Sequence, residues 1–149
     1  HETAASSLEN RLLPLSDLIT PNVPEASVLS EVPVDSVADV AAAAGILQRK
    51  GARNVLMKGG HFTDNELVDI LFEGKKAPVR FSGSRIDTRN THGTGCTLAS
   101  ACATGLAQGL ELKEAVQRAH AYVRIAIKTA QELGAGHGPL NHGHTVNQF

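Results

Sequence analysis

The residues best suited to chemistry lie in the stretch 87–106, which reads DTRNTHGTGCTLASACATGL. Gly93 and Gly95 flank Thr94, and Cys96 follows directly before a run of small apolar residues without proline. This order predicts a loop that opens onto a helix N-terminus. An anion placed there meets several unpaired N–H groups and the positive end of the helix dipole, and glycine lets the backbone approach it closely. Because short glycine motifs also occur in plain turns, the tripeptide alone leaves both interpretations open.

Two other groups of polar residues follow short apolar runs. Asn22 and Glu25 flank Pro24, a residue that suits the first turn of a helix. They could orient metal-bound water, or Asn22 could cap a turn while Glu25 favours a helix start. Lys58 precedes two glycines and is expected at the end of a strand, where it is either a ligand-binding cation or a solvated loop lysine. His61 has no partner at ligand spacing, so no metal-ligand set is predicted.

The elements that must position these residues form an α/β pattern. Residues 2–13 predict a short amphipathic helix, and residues 17–20 and 54–57 predict short buried strands around a helix from Ser36 to Gly51. Three further runs, 66–72, 79–81 and 84–87, predict an antiparallel edge on an otherwise parallel sheet. A second long helix with one apolar face follows from residue 112 to residue 130. The glycine-rich tail, GHGPLNHGHTVNQF, predicts a flexible surface segment rather than a metal site.

Composition narrows the classes of function. The chain has 149 residues, 42% of them hydrophobic, which suits one domain with a real core. Its 14 basic and 15 acidic residues imply no basic face for nucleic acid, and no apolar run is long enough for a membrane span. The two cysteines, Cys96 and Cys102, are too far apart on one helix to be bridged. A reduced, cytoplasmic location is therefore expected.

Four stretches together resemble a known family. They are TRNTHGTGC at 88–96, DLITPNVPEA at 17–26, VLMKGGH at 55–61 and GHGPLNH at 136–142. The set is similar to ribokinase-fold kinases, in the branch of the hydroxymethylpyrimidine and phosphomethylpyrimidine kinases of thiamin synthesis. The resemblance implies an open, mostly parallel sheet with flanking helices and antiparallel edge strands. It also implies that residues 1–149 form the C-terminal part of a ribokinase-like kinase domain whose N-terminal half is absent.

The resemblance assigns roles to individual residues. It makes Gly93, Thr94 and Gly95, together with Cys96, an anion hole for the charge that develops during phosphoryl transfer. Most ribokinase-fold enzymes have a catalytic aspartate where this chain has Cys96, and the cysteine indicates the pyrimidine kinase branch. Cys96 could accept the proton of the substrate hydroxyl or lie beside it. The remaining assignments place ATP and Mg²⁺ near Asn22, Glu25, Lys58 and Thr91.

Three functions remain open at the level of sequence. The first is ATP-dependent phosphorylation of 4-amino-5-hydroxymethyl-2-methylpyrimidine and its monophosphate, with the activity of this chain alone undecided. The second is a pyridoxine or pyridoxal kinase, and the third is a non-catalytic nucleotide-binding module. An exposed parallel sheet edge would favour either a homodimer or pairing with a separate N-terminal half.

Overall fold

The computed structural model describes residues 2–63 and 66–146. The chain divides into two compact units, unit 1 from His1 to Arg85 and unit 2 from Ile86 to Phe149. Both units contain residues that the sequence singles out, and each is described by itself.

The N-terminal part of unit 1 is helical, as predicted. Helix α1 spans Glu2–Ser7, a π-helical turn spans Leu8–Leu12, and a 3-10 turn with Pro14 spans Leu13–Leu15. Leu13 is buried in the core of the unit, whereas Leu12 is 59% exposed. The predicted apolar face of this helix is therefore only partly buried.

A crossover connects two neighbouring extended segments of unit 1. After the segment at residues 17–22 come helices α2 (Val23–Ser30) and α3 (Val37–Arg49), and then strand β1 (Asn54–Thr63). The predicted strand at 17–20 is seen as two isolated parallel bridges, from Ile19 to Val55 and from Asn22 to Lys58. The predicted β-α-β connection is thus present, with bridges in place of its first strand.

The sheet of unit 1 has three antiparallel strands in the order β1, β2 (Glu66–Glu73) and β3 (Val79–Ser84). The prediction that the first strand ends at Met57 is wrong, because β2 pairs with β1 as far as Thr63. Gly59 has φ 63°, and the pairing register shifts between Met57 and Gly60. The predicted strand at 84–87 is also wrong, since Ser84 pairs with Glu66 at the beginning of β2.

One face of this sheet and the helices α2 and α3 enclose the core of unit 1. In α3 the buried positions are Val40, Ala43, Ala44 and Leu47. Val37, the first residue of α3 after the N-cap Ser36, is 42% exposed. From the sheet, Val55, Met57, Val68 and Ile70 complete the cluster.

Unit 2 is built on two helices, α4 (Thr94–Ala107) and α5 (Leu112–Lys128). The two helices pack closely at Gly105, where a Cβ would lie 2.8 Å from the Cβ of Ala115. Helix α5 ends at Lys128 rather than continuing to residue 130, and its buried face includes Ala115 and Ala126. Within the described ranges of both units, no helix combines the length and the apolar character required to cross a membrane.

In the tail of unit 2, Gly138 and Leu140 are buried, so the predicted surface location is wrong for these two residues. Pro139 forms a parallel bridge with His92, and Leu140 is 5% exposed. A short 3-10 helix follows at His142–Thr145. The tail is held because its partners lie on distant parts of the chain, which its glycine-rich composition does not show. Residues 147–149 lie outside the described part.

Candidate functional site

Helix α4 begins at Thr94 with Gly93 as its N-cap, so the predicted loop that opens onto a helix N-terminus is present. Gly93 is the N-cap with φ 84° and ψ 4°, a left-handed conformation that favours glycine. The N–H of Thr97 donates to Gly93 O over 2.8 Å, and the Thr97 hydroxyl donates to the same oxygen over 2.8 Å. The Thr94 hydroxyl donates to Thr91 O, also over 2.8 Å. The first turn is therefore fixed by bonds to carbonyl oxygens of the loop that precedes it.

Backbone N–H groups without a partner remain at the N-terminus of α4. The Thr94 N–H donates to Thr91 O over 3.3 Å, but among the described residues no partner is seen for the N–H groups of Gly95 and Cys96. No side chain caps the helix, and no acidic residue lies in its first turn. Cys96 is exposed. Unpaired N–H groups together with the helix dipole favour an anion at this end of α4.

The N-terminus of α2 is different, because its own side chains close it. The N–H of Glu25 donates to Asn22 Oδ1 over 2.8 Å, and the N–H of Asn22 donates to Glu25 Oε2 over 2.8 Å. This is a complete capping box. This confirms the interpretation in which Asn22 caps a turn and Glu25 favours a helix start. The second carboxylate oxygen of Glu25, Oε1, lies outside the box.

Lys58 lies beside Asn22 in unit 1. The N–H of Lys58 donates to Pro21 O over 2.9 Å, and the parallel bridge joins Lys58 to Asn22. The structure thus brings Asn22, Glu25 and Lys58 into one neighbourhood, although Lys58 stands inside β1 rather than at its end. The side chain of His61 lies outside the described part.

Sequence reasoning missed one charged neighbour of this group. The carboxylate of Asp69, on β2, accepts a hydrogen bond from the N–H of Gly59 over 2.6 Å. Asp69 lies in an alternating strand pattern, and only the pairing of β1 with β2 brings it to the bulge after Lys58. The described residues contain no group of three or more His, Cys, Asp or Glu side chains placed to hold a metal ion.

An open groove of about 590 Å³ runs between α4 and α5 in unit 2. Cys96 lies at its α4 N-terminal end, and Tyr122 lines it from α5. The hydroxyl of Tyr122 donates to His142 O over 3.2 Å, which ties the tail to the same groove. The lining residues are Cys96, Thr97, Ser100, Ala101, Thr104, Gln108, Arg118, Ala119, Tyr122 and His142.

Comparison with known proteins decides the family. The model of the phosphomethylpyrimidine kinase family matches residues 1–141. The chain belongs to this family. The resemblance seen in the four sequence stretches is therefore confirmed.

Individual relatives agree with the family. The chain is 54% identical to the thiamine biosynthesis bifunctional protein ThiED of Geobacter sulfurreducens, over 93% of this chain and 28% of that protein. It is 44% identical to the hydroxymethylpyrimidine/phosphomethylpyrimidine kinase of Rhizobium meliloti, over 95% of this chain and 54% of that kinase. The chain thus spans about half the length of the single-function kinase.

A solved structure supports the fold. The pyridoxal kinase of Staphylococcus aureus in complex with AMP-PCP has a TM-score of 0.90 and 32% identity, covering 98% of this chain and 54% of that one. The α/β, ribokinase-like class predicted from sequence is confirmed by this likeness. In the described strands themselves, pairing is antiparallel, and the parallel contacts are limited to the isolated bridges.

Proposed function

We propose that this chain binds the phosphates of ATP and promotes phosphoryl transfer to 4-amino-5-hydroxymethyl-2-methylpyrimidine and to its monophosphate. The observation that carries the proposal is the N-terminus of α4, where Gly95 and Cys96 keep N–H donors without a partner in the described chain. Membership of the phosphomethylpyrimidine kinase family supports the reaction type. The AMP-PCP complex of the similar pyridoxal kinase supports the use of ATP.

The α4 end fits a transferring phosphoryl group. In such transfers most catalysis comes from positioning and from stabilising negative charge. Because Gly93 already holds its αL conformation, the N–H groups of Gly95 and Cys96 need no rearrangement to meet an anion. A Cβ at Gly93 would meet nothing within 4 Å, so space remains beside the loop. Preorganised donors of this kind act as an anion hole.

Cys96 is the proposed catalytic side chain. It is exposed in the first turn of α4, whereas Cys102 on the same helix is 1% exposed. A thiol at this position accepts the proton of the substrate hydroxyl or holds that hydroxyl towards the phosphorus. Thr91, whose carbonyl fixes the first turn, is proposed to contact the nucleotide from the loop.

The group in unit 1 is proposed to serve the charged end of ATP. Mg²⁺ bound with ATP neutralises charge on the phosphates and keeps several waters of its own. The capping box uses Glu25 Oε2 and Asn22 Oδ1. Glu25 Oε1 and the NH₂ group of the Asn22 amide take no part in the box and could form hydrogen bonds to such waters. Lys58, whose backbone is bridged to Asn22, is proposed to supply a cation for the phosphates.

The decisive test is product formation. The 149-residue chain is incubated with ATP and, in separate reactions, with hydroxymethylpyrimidine, its monophosphate or pyridoxal, and the products are identified by mass. A second set uses the same chain joined to the N-terminal half of the Rhizobium meliloti kinase, because the chain spans only 54% of that kinase. A phosphorylated pyrimidine in either set supports the proposal. Nucleotide binding without turnover in both sets would instead indicate a non-catalytic module.

A pyridoxal kinase is the second candidate. The observation in its favour is the TM-score of 0.90 to the Staphylococcus aureus pyridoxal kinase. Higher identity to the named pyrimidine kinase, 44% against 32%, favours the first candidate. The same experiment separates them, since preferential phosphorylation of pyridoxal over both pyrimidines would reverse the assignment.

We also propose a mostly parallel sheet for the complete kinase domain, of which residues 1–149 are the C-terminal part. The parallel bridges from Ile19 to Val55 and from Asn22 to Lys58 support this, with β2 and β3 as antiparallel edge strands. The segment at 17–22 would then pair on its other side with an N-terminal half or with a second copy of the chain. Sedimentation of the chain with and without the added half distinguishes these partners.

A further inference from the structure

The segment GHGPLNH at 136–142 has no role in the proposed reaction so far. Its composition predicts a flexible tail, yet the structure packs it within unit 2. We call residues 136–142 the brace segment. Two sets of contacts hold it, one to the loop before α4 and one to the C-terminal end of α5.

The first set joins the brace segment to the loop. The N–H of His92 donates to Gly138 O over 3.2 Å, and His92 forms a parallel bridge with Pro139. Asn90, 6% exposed, lies directly against Gly138. A Cβ at position 138 would overlap Asn90 Oδ1 and lie 3.0 Å from Asn90 Cγ. A larger residue at position 138 would therefore displace the buried Asn90 side chain.

The second set joins the brace segment to α5. The N–H of Asn141 donates to Ala126 O over 3.0 Å. The side-chain amide of Asn141 donates to Thr129 Oγ1 over 3.1 Å and to Thr129 O over 3.3 Å. Leu140, between these two anchor points, is buried. The segment therefore connects the end of a long helix to the loop at Asn90 and His92.

The loop held in this way is the one that fixes the first turn of α4. Thr91 O accepts bonds from Thr94, and Gly93 O accepts bonds from Thr97. We infer that the brace segment holds the Asn90–Gly93 loop in the conformation that leaves the N-terminus of α4 open, with Gly138 and Asn141 as positioning residues. The importance of these two residues for catalysis rests on the proposed function. The effect of the brace segment on the conformation of the Asn90–Gly93 loop does not.

The test compares two glycines of the same segment by hydrogen exchange. Gly138→Ala introduces the overlap with Asn90, whereas Gly136→Ala is a matched control because its Cβ would meet nothing within 4 Å. We expect Gly138→Ala to speed amide exchange in residues 90–97 about tenfold, since loss of local contacts lowers the opening free energy. Exchange in the N-terminal half of α5 and in unit 1 should stay at the rate of the unaltered chain, as should all exchange in Gly136→Ala.

Two results would overturn the inference. One is faster exchange at 138–142 with residues 90–97 unchanged. The other is an equal increase throughout α4 and α5, which would mean a general loss of stability. If Gly138→Ala does not fold, Asn141→Ala removes only the side-chain bonds to Thr129 and Gly143 and must give the same local pattern.

Binding of AMP-PCP, measured by calorimetry on the same proteins, keeps the two proposals apart. We expect weaker binding in Gly138→Ala than in Gly136→Ala, and equal affinity in the two variants would overturn the positioning role. Absence of binding by the unaltered chain would count against the proposed function, whereas unchanged exchange at 90–97 would count against the brace segment.

Discussion

The N-termini of α2 and α4 are built in opposite ways. At α2, the side chains of Asn22 and Glu25 exchange two hydrogen bonds of 2.8 Å with the backbone of the first turn. At α4, the N-cap is Gly93, and no side chain accepts a hydrogen bond from the N–H groups of the first turn. The first helix end is closed by its own side chains, whereas at the second the N–H groups of Gly95 and Cys96 have no partner in the described chain.

The comparison shows which features separate a structural helix start from a candidate binding site. Helix α3 is also closed, by Ser36, which accepts a bond from the N–H of Asp39. Helix α5 has no side-chain cap at Glu111 either, so an uncapped start alone is not diagnostic. What distinguishes α4 is the combination of an αL glycine, a second glycine at Gly95 and an exposed thiol at Cys96.

The largest effect is expected from Cys96→Ser at the open end. If the thiol handles the proton of the substrate hydroxyl, the rate of phosphoryl transfer should fall by about 10²-fold or more, the usual range for such a group. Binding of ATP should stay nearly intact because the backbone N–H groups are unchanged. Turnover and nucleotide affinity are measured on the 149-residue chain or on its fusion to the N-terminal half, whichever forms product.

Cys102→Ser is the matched control, since it makes the same change on the same helix at a buried site. It should lower the melting temperature and leave the turnover of the folded protein unaltered. Loss of ATP binding together with turnover in Cys96→Ser would contradict the proposed role of the thiol.

The next effect concerns the glycine that begins α4. Gly93 has φ 84° and Gly109 has φ 83°, and a Cβ would meet nothing within 4 Å at either position. Alanine should therefore cost about 1 kcal/mol of stability at both, from left-handed strain alone. Only Gly93→Ala should also weaken the binding of AMP-PCP, because it moves the donors of the first turn. Similar affinities in the two variants would remove the special role of the α4 end.

At the closed end, Glu25→Gln separates capping from charge. Glutamine preserves a capping box, so the free energy of unfolding should change by less than about 0.5 kcal/mol. If Glu25 Oε1 orients metal-bound water, the Mg²⁺ concentration needed for half-maximal ATP binding should rise several-fold. A titration with Mg²⁺ at fixed ATP checks this, and an unchanged midpoint would leave Glu25 with its structural role only.

The smallest effect is a pH dependence of stability at the start of α3, which is closed by Ser36 and Asp39. Hydrogen bonds from the Ser36 hydroxyl and from the N–H of Asp35 hold the pKa of Asp39 below its ordinary value of 3.8. Because the folded-state pKa is lowered, this contribution to stability is present above pH 3.8 and is lost as the pH falls through the folded-state pKa.

Asp39→Asn should therefore flatten the acid limb of the stability curve, measured by urea unfolding at several pH values. The first turn of α4 contains no acidic residue, so its exchange protection should not follow this limb. An acid limb that is identical in Asp39→Asn and the unaltered chain would show that the Asp39 hydrogen bonds add nothing to stability.

Much of the site could be predicted because its signals are local. The start of α4 at Gly93, the cap of α3 at Ser36 and the alternative cap at Asn22 each depend on residues within four positions of one another. The wrong predictions depend on distant partners. Strand β1 continues past Met57 because β2 pairs with it, and Asp69 reaches Gly59 through the same pairing.

The sequence by itself indicated the family, the α/β class, and the residues at which α3 and α5 begin. Only the tertiary structure decided that the Asn22 and Glu25 side chains close α2, that Lys58 stands beside Asn22, and that the segment at 136–142 packs against the loop before α4 and the end of α5. A helix start is specified by backbone sterics and by bonds over three or four residues, which the order of residues shows directly. The contact between Gly138 and Asn90 depends on how two helices between them pack, and no local pattern records that geometry.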